Sequence, residues 1–259
     1  MELMVDIGNT NTVLGLFLHG SLDKFWRISS HCSKTEDEIW SVLDSLFKMD
    51  DFNSRLIKGV CISSVVPELS TIYRRMVEKY LLVKPMHISP DLNLGLDILY
   101  QDPYAVGADR ICNAVAGKRK YGTPLIVLDF GTATTFDCIN NNGDYLGGVI
   151  CPGIESAASI LHQKAAKLPK IEMVFPSRVI GRNTGESMQS GIMFGSIELI
   201  EGMIRRIKKE LGGKPKVIAT GGLAYMIAKR TKSIDLVDEN LNLEGIYQIY
   251  RQNILTGRS

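Results

Sequence analysis

A short motif occurs twice in this chain, each time directly after an apolar run of strand length, and it limits the available folds more than any other pattern. Residues 6–12 read Asp-Ile-Gly-Asn-Thr-Asn-Thr, and residues 129–135 read Asp-Phe-Gly-Thr-Ala-Thr-Thr. When the two segments are overlaid, the Asp, the Gly and the final Thr coincide. A repeat of this kind predicts that the two halves of the chain adopt related folds.

Strand-like and helix-like patterns alternate around each motif. The first helix opens with a capping box formed by Thr35 and Glu38, and the second begins at Pro67. This alternation predicts an α/β fold with an N-terminal domain, residues 1–120, and a C-terminal domain, residues 121–259. We expect strands at 3–7, 13–18, 22–28, 59–66, 125–130, 134–139, 145–150, 217–219 and 234–237, and helices at 39–47, 67–80, 106–120, 184–211 and 244–254.

Composition excludes several classes of protein. The chain has 259 residues, of which 45 % are hydrophobic and 22 % charged, so it is not globally disordered. The 30 Lys and Arg residues nearly balance 28 Asp and Glu residues, which leaves a formal charge of +2. This balance does not favour a polyanionic ligand, and we expect no nucleic-acid partner.

Cysteine and histidine usage favours a reduced compartment. The five cysteines are an odd number without a Cys-x-x-Cys pair, so we expect no disulfide framework, and the four histidines lack metal-ligand spacing. The N-terminus lacks a signal-peptide pattern, and the longest apolar runs fall well below the roughly 20 residues of a membrane helix. We therefore expect a cytoplasmic protein without a membrane partner. The cysteines are Cys32, Cys61, Cys112, Cys138 and Cys151.

The chemistry of the repeated motif suits phosphate. A glycine at the tip of a turn lets backbone N–H groups approach a ligand closely, and Thr and Asn side chains add donors. An Asp before such a turn repels phosphate but can hold a cation next to it. Two such turns predict a nucleotide and its metal in a cleft between two domains. A single Asp-x-Gly segment also forms ordinary β-turns in many proteins.

The paired turns resemble the phosphate loops of the actin, sugar kinase and heat-shock chaperone ATPase superfamily. This resemblance implies two ribonuclease H-like (actin-like ATPase) domains with the active site in the cleft between them. A third segment, Gly107-Ala108-Asp109-Arg110, places a carboxylate and a guanidinium at a helix start, where an acid is also favoured by the helix dipole. Together with residues 147–153, Asn183-Thr184 and Thr220-Gly221-Gly222, these motifs resemble type III pantothenate kinase over essentially the whole chain.

The resemblance implies ATP-dependent phosphorylation of pantothenate to 4′-phosphopantothenate, with Asp109 as the general base. Arg110 would contact either the substrate or the transition state. Asp6 would bind Mg²⁺, directly or through water, and Asp129 would bind a monovalent cation, K⁺ or ammonium. The residues expected to contact ATP are Asp6, Ile7, Gly8, Asn9, Thr10, Asn11, Thr12, Val13 and Thr132. Those expected to line the pantothenate pocket are Tyr100, Gly107, Ala108, Asp109, Arg110 and Thr184, and Thr184 is also expected to cap a helix.

The resemblance also implies a homodimer. Two other functions stay open at this stage: a sibling small-molecule kinase or phosphatase of the same superfamily, and a non-catalytic regulator that has kept the fold. A regulator would be expected to lack the base, whereas Asp109 is present.

Overall fold

The computed structural model of the protein describes residues 1–31, 33–255 and 257, so Cys32 lies outside the described residues. Two compact units are formed, Met1–Ala116 with Asn240–Ser259, and Gly117–Glu239. The strands are β1 (Glu2–Ile7), β2 (Asn11–Leu18), β3 (Ser21–Ser29), β4 (Gly59–Ser64), β5 (Met86–His87), β6 (Leu125–Phe130), β7 (Ala133–Ile139), β8 (Tyr145–Pro152), β9 (Lys216–Gly221) and β10 (Leu236–Val237). The helices are α1 (Glu36–Met49), α2 (Pro67–Met76), α3 (Ala108–Tyr121), α4 (Ile154–Lys164), α5 (Thr184–Leu211), α6 (Ala224–Ala228) and α7 (Leu241–Leu255).

The first unit is built on a mixed five-stranded sheet in the order β3-β2-β1-β4-β5. The strands β1, β2 and β3 pair antiparallel, whereas β4 and β5 run parallel to β1. Alternate residues of β1, β2 and β4 form one core with the apolar sides of α1 and α2. The capping box predicted at the start of α1 is present, with the Glu38 N–H donating to the Thr35 hydroxyl and the Glu38 carboxylate accepting from the Thr35 N–H.

The last helix, α7, lies on the opposite face of this sheet. The rings of Phe17 on β2 and Tyr247 on α7 stack with their centroids 4.2 Å apart. The phenol of Tyr250 rests against Gly59, where any Cβ would overlap it. The sequence predicted that residues 121–259 form one domain; the structure differs, because α7 packs on β1, β2 and β4 and so joins the first unit.

The second unit repeats the same topology. Its sheet has the order β8-β7-β6-β9-β10, with β6, β7 and β8 antiparallel and β9 and β10 parallel to β6. One face packs against α4, α5 and α6, with a row of isoleucines from α5 at its centre. The predicted α/β repeat is therefore confirmed, and the two sheets share the same strand order and strand directions.

The strand register aligns the two motifs differently from the sequence overlay, by one residue after the turn. Ile7 pairs with Thr12 across the first turn, whereas Phe130 pairs with Thr134 across the second. The second turn is thus one residue shorter, and the structure matches Thr12 with Thr134 rather than with Thr135. Both Thr12 and Thr134 are buried, which explains why a small β-branched residue occupies this place in each unit.

Among the described residues, no helix is long and apolar enough to cross a membrane. The four described cysteines, Cys61, Cys112, Cys138 and Cys151, are not joined in disulfides.

Candidate active site

The first turn joins β1 to β2 and presents its backbone to solvent. The Gly8 N–H donates to the Asn11 carbonyl oxygen at 3.0 Å, and a Cβ added to Gly8 would lie only 3.0 Å from that oxygen. The three residues that follow Gly8 are exposed, so their N–H groups and side chains can reach a ligand. Those three residues are Asn9, Thr10 and Asn11.

The flanks of this turn are fixed from inside the unit. Asp6, at the end of β1, accepts a hydrogen bond from the Ser63 hydroxyl on β4 at 3.0 Å. The Thr12 hydroxyl lies 2.9 Å from that of Ser30. Ile7 is fully buried and Val13 half-buried, so these two residues anchor the turn rather than line an open surface. Ser63 is a site residue that the sequence did not reveal, because its partner Asp6 is 57 positions away.

The segment from Gly107 to Arg110 forms the entry to α3. The Gly107 carbonyl accepts from the N–H groups of Arg110 and Ile111, at 3.0 and 3.1 Å. The carboxylate of Asp109 turns back over Gly107, where a Cβ would lie 2.5 Å from Asp109 Oδ1. A side chain at position 107 would displace the Asp109 carboxylate, so this arrangement requires glycine there.

The environment of Asp109 raises the pKa of its carboxyl group. Burial is the main cause, because it disfavours the charged form. The Arg110 N–H, which donates to Asp109 Oδ1 at 2.8 Å, and the charge of the buried Arg110 guanidinium oppose that shift. A partly desolvated carboxylate with a raised pKa is the kind of group that serves as a general base. Ala108, beside it, is buried.

A buried thiol connects the first turn with the α3 entry. Cys112 lies one turn of α3 beyond Asp109 and is fully buried, which raises its pKa strongly. The negative charges of Asp6 and Asp109 raise this pKa further. Both carboxylates therefore act on the same buried atom, and the first unit brings Asp6, Ser63 and Asp109 into one neighbourhood at the carboxyl ends of β1 and β4.

The second turn follows β6 and is likewise exposed at its tip. The Gly131 N–H donates to the Ala133 carbonyl at 3.1 Å. The Thr132 carbonyl accepts from the Gly153 N–H at 3.2 Å and from the Ser156 hydroxyl at 2.7 Å. The exposed Thr132 side chain is thus held from behind by the start of α4.

Two glycines let backbone pack directly against this turn. A Cβ on Gly153 would lie 2.4 Å from the Thr132 carbonyl oxygen. Gly221, at the end of β9, has φ +90° and would place a Cβ 2.7 Å from Asp129 Oδ1. Both positions require glycine, and the Asp129 carboxylate is cradled by main chain as a result.

Tyr100 and Thr184 are placed by loops and helix ends. Tyr100 is partly exposed in the irregular segment before α3. The sequence suggested Thr184 as a helix cap, but the cap is Asn183, whose side chain accepts from the Glu186 N–H at 2.9 Å. Thr184 is the exposed first residue of α5 and lines an apolar pocket of the second unit with Leu161 and Met188. Its hydroxyl is therefore not needed for capping.

The carboxylates fit cations that are bound together with phosphate rather than enclosed by protein. No group of three or more His, Cys, Asp or Glu side chains within residues 1–31, 33–255 and 257 is arranged to hold a metal ion. Mg²⁺ is commonly bound through one or two carboxylates plus phosphate oxygens and water. Asp6, oriented by Ser63, suits that manner of binding, and Asp129 in its main-chain cradle suits a less demanding monovalent ion.

Comparison with known proteins identifies relatives of this arrangement. A family model described as type III pantothenate kinase matches residues 2–206. A conserved protein of Campylobacter jejuni assigned to the Baf family of transcriptional activators has a TM-score of 0.62 at 21 % identity, with 98 % of this chain and 99 % of that chain covered. A 2-dehydro-3-deoxygalactonokinase protein of Sinorhizobium meliloti has a TM-score of 0.56 at 11 % identity, with 97 % and 98 % covered.

The ethanolamine utilization protein EutJ of Carboxydothermus hydrogenoformans has a TM-score of 0.54 at 16 % identity, with 94 % of this chain and 88 % of that chain covered. At such identities the likeness establishes the fold, which is that of the two-domain actin-like ATPases and sugar kinases. It does not establish a substrate.

Proposed function

The chain belongs to the type III pantothenate kinase family, and from this premise we propose that it phosphorylates pantothenate to 4′-phosphopantothenate with ATP, the first step of coenzyme A biosynthesis. The observation that supports this most directly is the Asp109 carboxylate, which is partly buried, has a raised pKa and is seated over Gly107. A phosphoryl transfer to a hydroxyl needs such a base and little other covalent chemistry from the protein.

In the proposed reaction the primary hydroxyl oxygen of pantothenate attacks the γ-phosphorus of ATP. The new O–P bond forms as the bond to the β,γ-bridging oxygen breaks, and ADP leaves. The hydroxyl proton passes to the Asp109 carboxylate, and a positioned base of this kind contributes about 10²- to 10⁴-fold in rate. Arg110 supplies fixed positive charge beside that base, to the substrate or to the transition state.

The first turn binds ATP in this proposal. Its exposed N–H groups and the side chains of Asn9, Thr10 and Asn11 would contact phosphate oxygens. Mg²⁺ bound with ATP would neutralise phosphate charge, and Asp6 would hold it directly or through water. Ser63 would keep the Asp6 carboxylate oriented toward that ion by its 3.0 Å hydrogen bond.

The second turn adds Thr132 as an ATP contact and Asp129 as the ligand of K⁺ or ammonium. Gly221 supports this assignment, because its missing side chain lets the Asp129 carboxylate lie against the main chain of β9. Tyr100, Gly107, Ala108 and Thr184 complete the proposed pantothenate contacts. The homodimer and the cytoplasmic location expected from the sequence are parts of the same proposal.

ADP release by the purified protein tests the function. We expect release from Mg·ATP to depend on pantothenate and to require K⁺ rather than Na⁺. The Asp109→Asn variant is the control for release by contaminating enzymes, and mass spectrometry identifies 4′-phosphopantothenate as the product.

Two results would contradict the proposal. Release that depends on a different hydroxyl compound would identify a sibling kinase of the same superfamily. Binding of ATP without turnover of pantothenate or of other small hydroxyl compounds would favour a regulator with this fold.

A further inference from the structure

The helix α7 reaches the entry of α3 although it lies outside residues 2–206, the part that the family model matches. The side-chain Nδ2 of Asn242, in the first turn of α7, donates to the main-chain carbonyl oxygen of Asp109 at 3.1 Å. The two residues are 133 positions apart in the chain. A carbonyl oxygen can only accept, so the amide nitrogen must face it, and the orientation of Asn242 is fixed.

A second contact between the two helices lies one helical turn further along. Gly245 of α7 lies on the main chain of Cys112, where a Cβ would be 2.1 Å from the Cys112 carbonyl oxygen. Asn242 and Gly245 are three residues apart on α7, and Asp109 and Cys112 are three residues apart on α3. Residues three apart lie on the same face of a helix, so one face of α7 packs against one face of α3. Main-chain atoms of α3 take part in both contacts.

The contact acts on the main chain of Asp109 and leaves its carboxylate on the other side, over Gly107. Asn242 Oδ1 is itself buried and has no hydrogen-bond partner within the described part of the chain. A buried acceptor without a partner costs stability, and the contact of Asn242 Nδ2 with the Asp109 carbonyl is made despite that cost.

We propose that Asn242 is a positioning residue for the base: it fixes the Asp109 carbonyl and, with the contact between Gly245 and Cys112, holds the Asp109 carboxylate in place over Gly107. This inference rests on the proposed function only in taking Asp109 as the base. The C-terminal helix thus becomes part of the active site of this kinase without touching the substrate.

Two substitutions of Asn242 test the proposal. Asn242→Asp keeps the shape, removes the donor and brings a negative charge beside Asp109, which raises the pKa of Asp109. Asn242→Ala removes the donor that fixes the Asp109 carbonyl, so the carboxyl group can move out of its buried position over Gly107, and its pKa, which burial raises, falls. Ile249→Val, a change on the buried side of α7 seven residues away, is the control for loss of stability alone.

The first readout is the pKa of Asp109 itself, followed by the ¹³Cγ resonance of protein labelled at aspartate and assigned by its absence in Asp109→Asn. We expect opposite shifts in Asn242→Asp and Asn242→Ala, and no shift in Ile249→Val. If Asn242→Asp does not fold, the downward shift in Asn242→Ala decides. A wild-type pKa of Asp109 in the Asn242 variants would overturn the proposal.

The second readout is turnover. We expect kcat for pantothenate phosphorylation to fall about 10-fold in both Asn242 variants with KM for ATP unchanged, because a small displacement of the base slows only the chemical step. Ile249→Val should keep kcat at a comparable loss of Tm. If the wild-type protein does not phosphorylate pantothenate, the proposed function fails, and the ¹³Cγ titration still decides the role of Asn242.

Discussion

Asp109 occupies a place in which its ionised form is unfavourable. Its pKa is raised above the usual range of an aspartate because burial removes water from the carboxylate, and the Arg110 N–H and guanidinium offset this only in part. The folded protein therefore holds a proton on Asp109 more tightly than the unfolded chain does. It follows that the ionisation of Asp109 lowers the free energy of unfolding at pH values above its raised pKa. This loss of stability disappears as the pH falls through that pKa.

The substitution Asp109→Asn separates this cost from function. We expect a loss of about 100-fold or more in kcat, since no group remains to take the hydroxyl proton, together with a higher Tm at pH 7 to 8. The gain in Tm over the wild type should shrink as the pH is lowered. Kinetics with pantothenate and thermal melts over a pH series measure both effects. A near-normal kcat in the variant would contradict the assignment of Asp109 as the base.

The Asp129 carboxylate gives a second test at the level of one residue. We expect Asp129→Ala to lose the response of activity to K⁺ and to bind ATP more weakly, because the cation that offsets phosphate charge has lost its ligand. Titration of activity with K⁺ at constant ionic strength measures this. An unchanged K⁺ titration in the variant would refute the role.

At the level of elements, the helices that local sequence signals define were predicted correctly, whereas packing that depends on contacts between distant parts of the chain was not. The capping box of α1 and the bounds of α5 were predicted because capping residues and apolar periodicity lie within a few positions of each other. The cap of α5 is Asn183 and not Thr184. Both side chains are able to cap a helix, so the sequence did not decide between them, and only the backbone geometry does. The packing of α7 on the first sheet depends on contacts with strands near the start of the chain, which no local pattern reveals.

The site divides in the same way. Its turn glycines and Asp109 lie in motifs that resemble a known family, whereas Ser63 and Asn242 act on partners 57 and 133 positions away. The roles assigned to Asp6, Asp129, Tyr100 and Thr184 stay predictions.

The crossing of α3 and α7 gives a test at the level of elements. Gly245→Ala would place a methyl group against the Cys112 main chain, which cannot move aside as a flexible side chain would, and we expect a loss of about 1–3 kcal/mol in the free energy of unfolding. Gly195→Ala is the matched control, because a Cβ at this position in the middle of α5 would contact no other atom of the described chain. Alanine there should raise the free energy of unfolding by about 0.5–1 kcal/mol. Urea denaturation measures both, and equal effects would contradict the backbone contact.

At the scale of the whole molecule, the second unit exposes apolar side chains that suit a partner. Ile160 and Leu161 on α4 are 52 % and 42 % exposed, and Leu161 also lines the apolar pocket beside Thr184. Exposed apolar side chains that adjoin one another are typical of association surfaces. The proposed homodimer would bury these two side chains.

Light scattering should therefore give about twice the chain mass of 28.7 kDa. We expect the double change Ile160→Asp with Leu161→Asp to return the protein to the chain mass, because burying two carboxylates in an interface is costly. Leu82→Asp, an exposed position of the first unit, is the control. A dimer that survives the double change would place the interface elsewhere.

The separation of α7 from the rest of its unit has a consequence for synthesis on the ribosome. Residues 117–239 emerge as one continuous stretch and can complete their own core, whereas the sheet that begins at residue 2 waits for residues 241–255 to cover its second face. The order of completion is thus the reverse of the order of translation, contrary to the usual N-terminal-first course. Limited proteolysis of a chain that stops at Glu239 should digest the first unit and spare the second; equal resistance of both would contradict this order.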